Sequence, residues 1–336
     1  MKSPSPPVSP WQLLYGGAHR LRRQWYRTHG HRLPRPVVSV GNLHWGGTGK
    51  TPLTAALAAH LRDRGLAVCI LSRGYASRGR GVRVVSVGEG PLLGPLVAGD
   101  EPVLLAGELP GVAVVVGPDR HRAGLHALRR LPRTPQLFLL DDGFSHLALH
   151  RDLDLVAFPA ADPFGGGRLP PSGRLREPLA SIARAHAVLL TGAASSEDGR
   201  LLAEALRRHG FQGPGFASFT RPAPPASLAP GLPVGARVFL VSAIARPDAF
   251  ARTARELGYD VAGELRFPDH HRYPAASLER IESGFREAGA ATLLTTAKDA
   301  VKLLGRLDLP TAVLPIRAEP EPAFWSWLDG ELDRIA

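Results

Sequence analysis

Val40-Gly41-Asn42-Leu43-His44-Trp45-Gly46-Gly47-Thr48-Gly49-Lys50-Thr51 decides the fold of this chain. The β-branched run Val37–Val40 comes before it and the helical pattern of Pro52–Arg64 follows, so the stretch is a strand-to-helix turn. Small residues there let backbone N–H groups turn inward around phosphate oxygens, and the helix N-terminus adds a favourable dipole. Gly46, Gly47, Thr48, Gly49, Lys50 and Thr51 are the expected nucleotide-binding residues. Lys50 would reach the β- and γ-phosphates, and the Thr51 hydroxyl would face Mg²⁺. The strict phosphate-loop pattern places glycine six residues before the lysine, and His44 stands there instead. The alternative is a glycine-rich tight turn beside an unrelated lysine.

Outward from the loop, short apolar runs recur at Ala67–Leu71, Val112–Val116, Leu137–Leu140, Leu153–Phe158 and Ala187–Thr191. Helical stretches, as at Arg120–Leu131 and Glu197–His209, lie between several of them. Continuous apolar strands alternating with helices predict an α/β fold, a P-loop NTPase-like parallel sheet flanked by helices. Arg221–Gly235, with prolines at 222, 224, 225, 230 and 233, reads as a linker. A smaller α/β alternation follows: Val238–Val241, Pro247–Leu257, Ala275–Ala288, Thr292–Thr295 and a closing helix near Pro322–Leu332. The expected organisation is an N-terminal amphipathic helix in 1–30, a P-loop domain in 31–222 and a smaller domain in 223–336.

The N-terminal helix has Ser9 as cap and Pro10 in its first turn. Trp11, Leu14, Tyr15, Ala18, Leu21 and Trp25 share one face, ringed by His19, Arg20, Arg22, Arg23 and Arg27. An apolar, aromatic stripe among cations suits a membrane interface, and it also suits a helix packed on its own domain.

The 336 residues include 44% apolar and 21% charged side chains, which excludes disorder by composition. A single cysteine, Cys69, excludes a disulfide framework and a cysteine zinc site. No apolar run reaches the roughly 18 residues of a membrane-spanning helix. The formal charge of +11 rests on 41 basic residues, of which only Lys2, Lys50, Lys298 and Lys302 are lysine. Arginine codon bias explains part of the excess; an anionic partner (nucleic acid, phosphorylated substrate or membrane) would explain more.

Leu137-Phe138-Leu139-Leu140-Asp141-Asp142-Gly143 ends a buried strand in two carboxylates, which need a cation or donors there. That is the acid a P-loop enzyme uses to organise its metal, and either aspartate satisfies the pattern. Four polar segments stand out besides: Ser72-Arg73-Gly74-Tyr75, Gly99-Asp100-Glu101-Pro102, Gly117-Pro118-Asp119-Arg120 and Phe267-Pro268-Asp269-His270-His271. In open α/β sheets ligands gather at strand carboxyl ends, where most of these segments fall.

The ordered set VGNLHWGGTGKTP, LSRGY, AGDEP, VVVGPDR, LLDDGFSH, LREP (Leu175–Pro178), FPDHH and TTAKDAVKL, spanning roughly residues 35 to 303, resembles the tetraacyldisaccharide 4′-kinase family of lipid A biosynthesis. The resemblance implies transfer of the ATP γ-phosphoryl group, with Mg²⁺, to the 4′-hydroxyl of a tetraacylated glucosamine disaccharide 1-phosphate. It also implies a peripheral enzyme, expected to be monomeric, on the cytoplasmic face of the bacterial inner membrane, with an anionic membrane surface and no nucleic acid as partner. By the same resemblance Asp100 is a catalytic base in a dyad with His270, and Lys50 and Thr51 bind phosphate and metal. Glu101, Asp141 and Asp142 are then metal-site acids, and Arg73, Tyr75, Arg120, His146 and Arg176 meet the lipid head group. A dyad drawn from two domains would couple catalysis to domain closure. Ser145, Ala243 and Ala297 depart from the family's usual glutamine, glycine and glutamate. Two other functions share the phosphate loop: a switch or partitioning ATPase that binds DNA or membrane through its arginines, and a kinase for a soluble small molecule.

Overall fold

The structure, a computed structural model, describes residues 16, 17, 21, 22, 24–26, 28–75, 77–222 and 232–335. Its strands are β1 (Val37–Gly41), β2 (Val68–Ser72), β3 (Arg83–Ser86), β4 (Ala113–Val116), β5 (Leu137–Asp141), β6 (Leu153–Pro159), β7 (Ala187–Thr191), β8 (Gly215–Pro222), β9 (Arg237–Ser242), β10 (Asp260–Arg266), β11 (Thr292–Thr296), β12 (Thr311–Leu314) and β13 (Ile316–Pro320). The principal helices cover Lys50–Asp63, Asp100–Glu108, Arg120–Arg130, Glu197–Arg207, Pro247–Glu256, Ala275–Glu287, Ala297–Leu303 and Pro322–Ile335. Each apolar run read from the sequence is a strand, and every residue of β1, β2, β4, β5, β6 and β7 is buried. The α/β reading therefore holds.

Two compact units divide the chain, and neither is continuous in sequence. The first holds residues 1–50, 137–219 and 320–336; the second holds 51–136 and 220–319. Within the first, the strand order is β8-β7-β6-β1-β5 and the pairings are parallel. β1 lies between β6 and β5, with Val38 opposite Leu139 of β5 and Leu153 of β6. Its core gathers Leu43, Phe144, Phe158, Leu175, Val188 and Phe211. Each such side chain contributes about 1.5–3 kcal/mol on full burial.

Within the second unit, β2 pairs with β4 in parallel and β3 with β4 antiparallel. A separate four-stranded parallel sheet runs β10-β9-β11-β12. One face of it is covered by Phe250, Ala251, Ala254 and Tyr259, and another cluster holds Phe239, Phe267, Tyr273, Ile281 and Phe285.

Of the expected N-terminal helix, Trp11, Leu14, Tyr15, Ala18, His19, Arg20, Arg23 and Arg27 lie outside the described residues, as do 223–231 of the expected linker. Residues 24–26, 28 and 29 are helical, and Leu21 and Trp25 expose 71% and 59% of their surface. Among the described residues no helix is long and apolar enough to cross a membrane.

Candidate active site

The glycine-rich segment expected to bind phosphate follows β1. Val40 stands opposite Asp141 across β1 and β5, so the loop and the paired aspartates emerge at one level. The chain then folds back, with the Gly143 N–H donating to the Val40 carbonyl at 3.1 Å. Phe144 packs so closely on Gly41 that a Cβ there would lie 2.3 Å from the phenylalanine Cβ, which explains the glycine that ends β1. Asn42 Nδ2 donates to Thr48 Oγ1 at 2.9 Å. The single proton of the buried Thr191 hydroxyl is shared between the carbonyls of Thr48 (2.7 Å) and Phe158 (3.1 Å), fastening the loop to β6 and β7. Gly49 takes φ 75, a left-handed value that glycine adopts at little cost.

The LREP segment straps the loop from outside. Trp45 N–H donates to the Arg174 carbonyl at 2.8 Å and Arg176 N–H to the Leu43 carbonyl at 2.7 Å, bracketing a bridge between His44 and Leu175. His44, where the strict pattern has glycine, is buried edge-on to Phe158. Lys50 Nζ lies 3.3 Å from one oxygen of Asp142, and Arg176 donates to the other at 2.7 Å. Burial pushes the Asp142 carboxyl up, but the charges of Lys50 and Arg176 outweigh it and hold the group at about 2. The Arg176 guanidinium also stacks over Trp45, 4.9 Å from the ring centre. Arg176, expected at the lipid head group, thus sits on Trp45 of the glycine-rich loop and on Asp142.

Ser145 takes the place of a glutamine and still finds a strong partner, donating to Glu177 at 2.5 Å. Glu177 pairs with Arg184 at 3.0 Å, whose guanidinium lies over Phe144. His146 N–H donates to the Gly143 carbonyl in the same turn.

In the second unit, residues 170 positions apart meet. His270 Nδ1 is 3.4 Å from Asp100 Oδ2, and both residues, assigned to different domains from the sequence, belong to this one unit. Asp100 is buried in the first turn of helix Asp100–Glu108, where the helix dipole favours a carboxylate. Lys302 Nζ approaches the same Oδ2 at 3.1 Å and Asp299 Oδ1 at 3.3 Å. Asp299 is completely buried and accepts from the Ala243 N–H (2.9 Å) and the Thr296 hydroxyl (2.7 Å). Burial raises the Asp100 carboxyl, but the His270 hydrogen bond and the Lys302 charge prevail and leave it below the usual carboxylate range. Lys298 Nζ lies 2.8 Å from Asp269, 3.2 Å from His270 Nε2 and 3.9 Å from Glu101. His270 takes φ 62, a left-handed value uncommon for a residue with a Cβ.

The exposed Tyr75 presents its ring 5.2 Å from the His270 ring, and Arg73 is exposed just beyond β2. Arg120 is buried and donates to the Pro118 carbonyl at 3.2 Å, while its neighbour Asp119 caps the helix by accepting from the Arg122 N–H. Lys298 and Lys302 join the Asp100 cluster, although their sequence context gave them no role. Their signal was scarcity, since lysine is retained at only four positions in a chain otherwise rich in arginine.

Among the described residues no three His, Cys, Asp or Glu side chains gather to hold a metal by themselves. Mg²⁺ needs no such cage, because it binds through one or two carboxylates plus substrate phosphates and water. The hard oxygens of Thr51, Glu101, Asp141 and Asp142 are of the type it takes.

A family profile described as tetraacyldisaccharide-1-P 4′-kinase matches residues 5–333. The chain belongs to the tetraacyldisaccharide 4′-kinase family. A relative from Anaeromyxobacter sp. (strain Fw109-5) named tetraacyldisaccharide 4′-kinase is 45% identical over 295 residues, 85% of this chain and 78% of its own length. One of the same name from Geobacter sulfurreducens is 40% identical over 332 residues, covering 96% and 91%. The crystal structure of LpxK from Aquifex aeolicus in complex with ATP superposes with a TM-score of 0.75 at 32% identity, over 97% of each chain. Membership of the tetraacyldisaccharide 4′-kinase family agrees with the motif order from which the resemblance was read.

Proposed function

We propose that this protein transfers the γ-phosphoryl group of ATP to the 4′-hydroxyl of tetraacyldisaccharide 1-phosphate, giving the bis-phosphorylated lipid IVA of lipid A biosynthesis. Beyond the family, the observation that carries the chemistry is the meeting of Asp100 with His270. A sugar hydroxyl is a weak nucleophile, and a carboxylate oriented by an imidazole accepts its proton as the new P–O bond forms. The His270 hydrogen bond and the Lys302 charge, which hold the Asp100 carboxyl below the usual carboxylate range against its burial, favour the ionised form a base needs. Lys50 and the loop glycines bind the phosphates in this reading, while Arg73, Tyr75, Arg120, His146 and Arg176 are the proposed head-group residues. Thr51, Glu101, Asp141 and Asp142 supply oxygens for Mg²⁺, which when bound neutralises phosphate charge.

The protein, ATP, Mg²⁺ and the dispersed tetraacyldisaccharide 1-phosphate should yield the bis-phosphorylated product; its absence with folded enzyme would sink the proposal. Asp100→Ala should lower kcat by about 10²–10⁴-fold while nucleotide still binds. Near-normal turnover would remove Asp100 from the base role.

The same reading makes the enzyme a monomer bound peripherally to the cytoplasmic face of the inner membrane. Exposed Leu21 and Trp25 beside the exposed Arg22 support it, because apolar side chains flanked by cations suit an anionic lipid surface. Co-sedimentation with anionic liposomes, with and without residues 1–30, tests the attachment, and light scattering after size exclusion tests the monomer. Steeply salt-dependent DNA binding would favour the switch-ATPase alternative instead.

A further inference from the structure

We propose that Lys298 is a positioning residue for the transfer: its ammonium, held by Asp269, donates to Nε2 of His270 and fixes the imidazole as the tautomer whose Nδ1–H points at Asp100. The inference rests on the reading of Asp100 as base, but concerns a residue which that reading leaves without a role.

Donors and acceptors around the imidazole match in one protonation form only. An ammonium carries three donors and no acceptor. At 3.2 Å from Nε2, its contact is attractive only if that nitrogen presents its lone pair. Nδ1 then carries the proton, and it faces a carboxylate oxygen at 3.4 Å. The opposite tautomer sets two donors against each other at Nε2 and two acceptors at Nδ1. An imidazolium sets a second cation against the lysine. Of the three protonation forms, only Nδ1–H satisfies both contacts.

Lys298 is anchored for this task. Asp269 Oδ1 accepts from Lys298 at 2.8 Å and from the backbone N–H of His270 at 3.0 Å. One carboxylate oxygen thus holds the ammonium and the turn that carries the imidazole. That double hold accounts for the left-handed His270 backbone, a conformation that persists only where its surroundings over-determine it. The choice of lysine follows as well. The contact between Asp269 and a single ring nitrogen needs a compact point donor, whereas a planar guanidinium fork suits a broader, bidentate acceptor.

The arrangement also distinguishes the two oxygens of Asp100. His270 Nδ1 and Lys302 Nζ both engage Oδ2, which leaves Oδ1 to accept the substrate proton. The hydroxyl O–H breaks toward Oδ1, the hydroxyl oxygen bonds to the γ-phosphorus, and ADP leaves with the electron pair of the broken P–O bond.

The test is long-range ¹H–¹⁵N correlation on full-length protein with ¹⁵N-labelled histidine, which reads the protonation of each ring nitrogen directly. His270 is assigned as the signal lost in His270→Ala. Wild type should show a protonated Nδ1 and an unprotonated Nε2. Lys298→Met keeps the stem, removes the donor, and should shift His270 toward the Nε2–H form. It should lower kcat about tenfold, a share of the 10²–10⁴ that positioned proton transfer contributes, with KM for lipid nearly unchanged. Lys298→Gln, whose amide still donates, should restore the tautomer and most of kcat. A wild-type Nε2–H form, or an unaltered tautomer in Lys298→Met, overturns the proposal. If the methionine variant fails to fold, the wild-type and glutamine spectra decide alone. Failure of the Asp100 assignment is separable, since it shows as near-normal turnover of Asp100→Ala, whatever the His270 tautomer.

Discussion

Replacing Lys302 by methionine removes the cation on which two buried carboxylates of the second unit depend. Lys302 is 7% exposed, with its Nζ 3.1 Å from Asp100 and 3.3 Å from Asp299. Asp299 has no exposed surface, and the Ala243 N–H and Thr296 hydroxyl both bond its Oδ2, so Oδ1 faces the ammonium. Methionine keeps an unbranched stem but leaves Asp299 with an uncompensated buried charge, which costs about 3–5 kcal/mol. At about 1.4 kcal/mol per factor of ten, local opening around β11 and helix Ala297–Leu303 should rise by roughly two to four orders of magnitude. The five tryptophans (11, 25, 45, 325 and 327) all lie in the first unit, so intrinsic fluorescence does not follow this event directly. Hydrogen exchange of peptides covering 292–303 does. The double variant Lys302→Met/Asp299→Asn removes the stranded charge at constant shape and should recover most of the protection. Unchanged exchange in the single variant, or a double variant no better protected than the single, would refute the account.

The Asp142 carboxyl, held at about 2 against about 3.9 in an unfolded chain, favours the folded state above the higher value; that contribution fades as pH falls toward the lower one. The stability difference between wild type and Asp142→Asn, followed by urea unfolding, should therefore be full near neutrality and vanish at acid extremes, and added salt should shrink it because Asp142 is partly exposed. Thr191→Val strips the hydroxyl from the Thr48 and Phe158 carbonyls and should cost about 1–3 kcal/mol; calorimetry should find weaker ATP binding with unchanged circular dichroism. Burial pushes the Cys69 thiol well above its usual range, so an aromatic disulfide reagent should label it only as the protein unfolds.

Strands buried on both faces were legible in the sequence as unbroken apolar runs, whereas β3, β8, β10, β12 and β13 were not read from it, and most of these are only partly buried. The strand-to-helix turn at Gly46–Thr51 was legible because it is contiguous: backbone turn, lysine and threonine fall within six residues. Pairing over distance was not legible. Nothing local joins Arg176 to Asp142 across 34 positions, or places Asp100 and His270 in one unit made of two separate stretches of chain. The roles of Lys298 and Lys302 were hidden for another reason. Three charged residues, Lys298, Asp299 and Lys302, share one short helical segment, and nothing in their spacing shows that Asp299 and Lys302 are buried. Their burial depends on Asp100 and Thr296 supplying partners that a pattern of charges does not reveal.

The sheltered lysines have a practical consequence for chemical labelling. Lys50, Lys298 and Lys302 expose only 12%, 17% and 6% of their side chains, and each contacts a carboxylate. Acylating or reductively alkylating reagents, which on most proteins decorate the surface indiscriminately, find among the described residues only amines at the end of the glycine-rich loop or in the Asp100 cluster. On this protein amine acylation is a footprinting reagent for those two places, and protection by a bound ligand can be followed lysine by lysine in a mass spectrum.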